Sequence, residues 1–157
     1  MSYNIPRRPS RLPQIFQKYD SPLFFVTFCT FNRAPILATD TFHQYFVLLM
    51  RRKSKEGIAC GKYVIMPDHI HLFLRIDNSR YQLGKTVGFI KQSLSKCLAD
   101  TGVKRPYWQP GFFDHLLRSA ESYSEKWEYV KNNPGRAELV QCSEDWKYQG
   151  QIVDIQY

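Results

Sequence analysis

At 157 residues, with 43% hydrophobic and 15% aromatic side chains, the chain can bury a core without staples and is too apolar for disorder, so one domain over 1–157 is expected. A net charge of +8 suits a polyanionic partner, most simply nucleic acid, although charge speaks to steering and not to mechanism. The four cysteines, Cys29, Cys60, Cys97 and Cys142, form no C-x-x-C, which argues against a zinc knuckle or a disulfide framework and suits a reduced, cytosolic protein; no apolar run reads as a signal peptide or a membrane span.

Residues 1–13, with Pro6, Arg7, Arg8, Pro9 and Arg11, describe an extended basic arm, either a phosphate contact or a loose tail. LFFVTFCTF over 23–31 is a β-branched and aromatic run, hence a first strand. Thr39 or Asp40 can cap a helix that runs to about residue 55, with cations at its C-terminal end; His43 near its start reads as surface or partial burial. Two strands follow, about 58–66 and 69–76, joined tightly at Met66-Pro67-Asp68 because proline donates nothing to a ladder and Pro-Asp favours a turn. Leu83, Val87, Ile90, Leu94 and Cys97 form the apolar stripe of a helix over 83–98. KRPYWQPG over 104–111 is a loop that interleaves cations with Tyr107 and Trp108. Exposed there, these rings would suit base stacking; a loop tryptophan tucked under a core is the competing reading. FFDHLLR over 112–118 is a fourth strand carrying His115, a possible further ligand or a hydrogen-bonded structural histidine.

The order strand, helix, hairpin, helix, strand, helix is that of an α+β, ferredoxin-like antiparallel sheet (β-α-β-β-α-β) with a C-terminal helix appended. Two helices cover one face and the other is left open. Along YVIMPDHIHLFLRI the side chains alternate, so Ile70, Leu72, Leu74 and Ile76 share the covered face while His69, His71, Phe73 and Arg75 share the other. Two imidazoles two residues apart on a strand can reach one divalent metal, and they can equally be polar surface.

The last helix spans about 121–133 and is stopped by Pro134-Gly135. Tyr123, Trp127 and Val130 make its buried stripe. Tyr129 lies about 200° round from Trp127, and Asn133 and Glu125 share its face.

The three segments MPDHIHLFLRI, YWQPGFFDHLLR and WEYVKNNPGRAELV, in this order and spacing, resemble the single-tyrosine HUH transposases of the IS200-like kind, most closely the REP-associated tyrosine transposases that act on repetitive extragenic palindromes in bacterial genomes. The resemblance runs from the first strand to about Val140. It implies that His69-Ile70-His71 is the HUH motif, Tyr129 the nucleophile and Asn133 the third metal ligand. The reaction it implies is cleavage and rejoining of single-stranded or hairpin DNA through a 5′-phosphotyrosine. A divalent cation, Mg²⁺ or Mn²⁺, would neutralise part of the phosphodiester charge. The alternative is a catalytically inactive DNA-binding protein of the same fold. Lys91, Arg105, Tyr107, Trp108, Arg118 and Arg136 are the candidate DNA contacts. The implied setting is the bacterial cytoplasm, associated with the nucleoid and without a membrane, as a monomer or a homodimer. Asp68 stands where the family pattern has Asn, and Gly135 where it has Val after Asn-Pro; neither touches a proposed reacting atom, so both bear on fine geometry.

Overall fold

Five antiparallel strands form the central sheet of the computed structural model, which describes residues 10–11 and 22–156. The rest of the arm expected at 1–13 lies outside the described residues. The elements in chain order are β1 (Ser10–Arg11), β2 (Leu23–Cys29), α1 (Asp40–Ser54), β3 (Ile58–Ile65), β4 (His69–Ile76), α2 (Leu83–Asp100), β5 (Phe113–Leu117), α3 (Ala120–Lys131), α4 (Asn133–Arg136), β6 (Gln149–Gln151) and β7 (Val153–Asp154). The sheet order is β5-β2-β4-β3-β6, and β1 pairs in parallel with β7 outside it. No helix among the described residues is long and apolar enough to cross a membrane.

Strands β2, β3, β4 and β5 take the expected ferredoxin-like places. Thr39 caps α1 by accepting a hydrogen bond from Phe42 N at 3.1 Å, and β3 and β4 are the expected hairpin, with Met66 N donating to His69 O at 2.8 Å. Strand β6 is an addition. Gln149-Gly150-Gln151 has neither β-branched residues nor alternation, and it is a strand because β3 offers it an open edge, with Lys62 opposite Gln151 and Val64 opposite Gln149. The glycine is fitted to that edge: a Cβ on Gly150 would come within 2.9 Å of Tyr63 Oη.

The covered face holds the core. Ile70, Leu72, Leu74 and Ile76 of β4 pack with Phe46 and Met50 of α1 and Ile90 and Leu94 of α2 in one buried cluster, each such side chain contributing about 2 kcal/mol of apolar transfer. His43, expected at the surface or partly buried, belongs to this face: it is buried, and its Nε2 lies 2.7 Å from Tyr63 Oη.

The opposite face is closed at one end and open at the other. Tyr123 and Trp127 of α3 lie edge-on to the buried Phe73, with centroids 4.9 and 6.2 Å apart. The expected stripe therefore roofs Phe73, and only the histidine end of the face stays accessible.

Two further expectations change. Pro134 does not end the helical path: α3 stops at Lys131, and Asn133-Pro134-Gly135-Arg136 forms a separate turn, α4, in which the missing N–H of proline falls in the first turn where it removes no helical bond. The 104–111 loop is not a free stacking platform. Tyr107 is buried and donates its hydroxyl to Val103 O; Trp108 lies edge-on to Phe28, and its Nε1 donates to Lys91 O and to Ser95 Oγ. Lys91 is likewise occupied, its Nζ donating to Gln109 O at 3.0 Å and Gly111 O at 2.7 Å. An aromatic next to Pro and Gly gained more from covering the end of the core than from remaining in water.

Candidate active site

Strand β4 starts at His69, so both imidazoles project from the open end of the sheet. Their Nε2 atoms are 3.1 Å apart. The other nitrogens are held from behind: His69 Nδ1 lies 2.7 Å from Asp68 Oδ1, and His71 Nδ1 lies 2.7 Å from Thr27 Oγ1, the residue opposite it on β2. A carboxylate only accepts, so His69 carries its proton on Nδ1 and leaves Nε2 bare. Asn133, the first residue of α4, brings its side-chain amide to 2.9 Å from His71 Nε2 and 3.4 Å from His69 Nε2. The break between α3 and α4 thus places the amide over the histidines.

Electrostatics keeps the pair neutral. Burial lowers His71 to about 3, with His69, Arg136, Arg33 and Lys126 adding to the effect. Burial also lowers His69, against the opposing pull of Asp68. For Asp68 burial works against the charge, but hydrogen bonds from Arg33 and His69 outweigh it and hold the carboxyl below its ordinary range. Arg33 Nε donates to Asp68 Oδ2 at 2.8 Å.

The donor set fits a divalent cation. Two imidazole Nε2 atoms facing each other at 3.1 Å match the spacing of about 3 Å between neighbouring ligands around an ion held at about 2.1 Å. Turning over the Asn133 amide would place an oxygen beside them in exchange for the bond that Oδ1 accepts from Arg136 Nη2, since amide O and N are assigned from the network. No group of three or more His, Cys, Asp or Glu exists among the described residues; the third donor near the pair is an amide.

Tyr129 is 66% exposed near the end of α3. The α4 turn carries Arg136 back over it, with the guanidinium 4.2 Å from the ring centre, and Arg136 Nη2 donates to Asn133 Oδ1 at 3.3 Å. One arginine therefore links the phenol to the histidine cluster within a single chain. Gly135 allows the turn: a Cβ there would lie 2.7 Å from Ser143 Oγ, which accepts the Gly135 N–H at 3.0 Å. That packing accounts for glycine at this position. Asp68 proves to be more than fine geometry, because it touches the ring of a candidate ligand.

Of the remaining sequence candidates, Arg105 is exposed with its guanidinium 5.9 Å from the Tyr107 ring. Arg118 is exposed beside Asp114, His115 and Ser122 in a shallow surface cleft. His115 is exposed on β5, and Glu125 is exposed on α3. Thr27 and Arg33 were missed. Thr27 has no local signal, since only the β2–β4 register reveals it; Arg33 follows an Asn32 that adopts φ 53°, and no pattern announces that either.

The chain was compared with known proteins. It is 21% identical over 143 residues to a Haemophilus influenzae protein provisionally named a REP-associated tyrosine transposase, covering 85% of this chain and 81% of that one. It is 22% identical over 125 residues to the REP-associated tyrosine transposase of Escherichia coli K12, covering 80% and 73%. A solved REP-associated tyrosine transposase bound to a REP hairpin shares the fold, with a TM-score of 0.65 at 19% identity over 94% of this chain and 82% of that one. The model of the family "Transposase IS200 like" matches residues 22–133. That stretch runs from the strand carrying Thr27, through both histidines, to the amide that meets them, and this chain belongs to the IS200-like transposase family.

Proposed function

We propose that the protein cleaves and rejoins single-stranded or hairpin DNA through a covalent 5′-phosphotyrosine at Tyr129, with His69, His71 and Asn133 holding a divalent cation. The observation that carries this reading is the meeting of the Asn133 amide with the two Nε2 atoms, three residues before the Arg136 that covers the Tyr129 ring. The cation would supply positive charge to the scissile phosphate, which otherwise repels a nucleophile. Imidazole and amide donors favour Mn²⁺ in affinity, while abundance favours Mg²⁺.

The chain's own residues have distinct tasks. Asp68 and Thr27 fix the two imidazoles so that Nε2 of each faces the cluster. Arg136 holds the phenol ring and sets a positive charge beside the approaching phosphate. The Tyr129 oxygen attacks phosphorus as the bond from phosphorus to the 3′-oxygen breaks; the phenol gives up a proton and the departing oxygen gains one. One P–O bond replaces another, so a free 3′-hydroxyl can reverse the step and rejoin strands without a further energy source. A neutral phenol is a weak nucleophile, so orientation supplies much of the rate. The net charge of +8 suits the polyanion, and the solved relative binding a REP hairpin supports a palindromic DNA as substrate.

The test is incubation with labelled single-stranded palindromic DNA and Mn²⁺, followed by a denaturing gel. Wild type is expected to give a covalent adduct, and Tyr129→Phe to bind without one. An adduct from the Phe variant would overturn the assignment.

A further inference from the structure

The register of the sheet places one more aromatic beside this site. On β2, Thr27 pairs with His71 on one side and with Phe113 of β5 on the other. The three therefore form a row across the open face, and Phe113 stands two strand spacings, about 10 Å, from His71. Phe113 is 66% exposed, unusual for a phenylalanine and matched among the large hydrophobics of the described residues only by Tyr129. Folding gains little from it. Beside Phe113 lies a cleft of about 200 Å³ whose lining includes Cys29, Gln109 and Gly111; Cys29 is the residue opposite His69 on the neighbouring strand. Lys91 fixes its rim by holding the carbonyls of Gln109 and Gly111. Positive charge flanks the row: Lys126 Nζ lies 5.2 Å from the ring centre of Phe25, which stacks on His71 at 5.4 Å.

We propose that Phe113 is a base-stacking residue, on which an unpaired base of the DNA strand next to the scissile phosphate lies while Lys126 meets an adjoining phosphate. The inference rests on the DNA-cleaving reading of the histidine site and adds where the strand runs: from the His69–His71–Asn133 cluster across Thr27 toward the β5 edge. A flat π-face accepts any base, so the contact supplies affinity and position without sequence choice. The distance suits a nucleotide or two along an extended strand, and the surrounding cations suit DNA better than an apolar partner.

The experiment uses the full chain in chelator, where no cleavage occurs, with single-stranded DNA carrying 2-aminopurine at successive positions around the cleavage point. Wild type is expected to quench the fluorophore at one or two adjacent positions. Phe113→Ala is expected to lose that quenching and to bind roughly five- to hundred-fold more weakly, and Phe113→Trp to restore both. Equal affinity for Phe113→Ala and wild type, no quenching in wild type, or a substitution whose effect is to dissociate a dimer on light scattering would each overturn the inference. The adduct assay with Mn²⁺ is run separately: a wild type that quenches but forms no adduct defeats the cleavage reading and supports the stacking one.

Discussion

The two faces of strand β4 differ in what their buried side chains have left to bond. On the covered side Ile70, Leu72 and Leu74 have no accessible surface and no polar atom to satisfy, so burial is pure gain. On the other, His69 and His71 are held from behind by Asp68 and Thr27 and end in each other. Burial alone does not mark the site, for His43 is buried on the covered side, and burial lowers its pKa too. His43, however, ends on the hydroxyl of Tyr63, a partner that satisfies it. The front pair turns both Nε2 atoms, with the Asn133 amide, toward one point, an arrangement that fits a cation.

Substitution can break that comparison most sharply at neighbouring residues. His71→Ala is expected to abolish adduct formation while changing the melting temperature by only a few degrees. Leu72→Ala, one residue on, is expected to cost about 2–5 kcal/mol of stability while the folded fraction still cleaves. Gel assays and denaturant melts on the same two preparations decide it, and a His71→Ala protein that cleaves normally would remove the distinction between the faces.

A smaller effect is expected behind the ligands. Asp68→Ala should weaken cation-dependent cleavage by about 10–100-fold, read as a shift in the Mn²⁺ titration. Asp68→Asn should lose less, because the amide oxygen still accepts from His69 Nδ1. Equal losses in the two variants would mean that charge, and not the hydrogen bond, is what Asp68 supplies.

The smallest effect is on the covered side and concerns pH. Burial lowers His43 below its usual 6.5, opposed by Asp40 and reinforced by Lys147. Above about pH 6.5 the ring is neutral whether folded or not; as pH falls through that value the unfolded chain takes up a proton that the folded chain resists, so stability is lost. Between about pH 8 and about pH 5, His43→Gln should therefore lose less melting temperature than wild type. A parallel fall in both proteins would show that His43 does not titrate with folding.

The alternation in HIHLFLRI fixes which β4 side chains share a face, and this was legible before any coordinates. So were the cap of α1, the stripe of α2 and the opposition of Tyr129 to the Tyr123 and Trp127 stripe. What could not be read was anything that one element does to another. Gln149–Gln151 is a strand only because β3 has a free edge. Tyr107 and Trp108 look like binding residues in a Pro- and Gly-rich loop, yet they close the end of the core, while Phe113, inside an apolar run that reads as ordinary strand, is left in solvent. Asn133 was legible as a ligand candidate, but not the broken helix that delivers it or the arginine that returns to cover Tyr129.

Periods of two and of about 3.6 residues are local properties of the backbone, so the order of letters determined the elements, their faces and the pair of imidazoles. Strand register, edge pairing and the fold-back of α4 depend on contacts between residues far apart in the chain. Only the tertiary structure therefore decided that Thr27 and Asp68 brace the histidines, that Arg136 joins the phenol to them, and that Phe113 lies bare in their row.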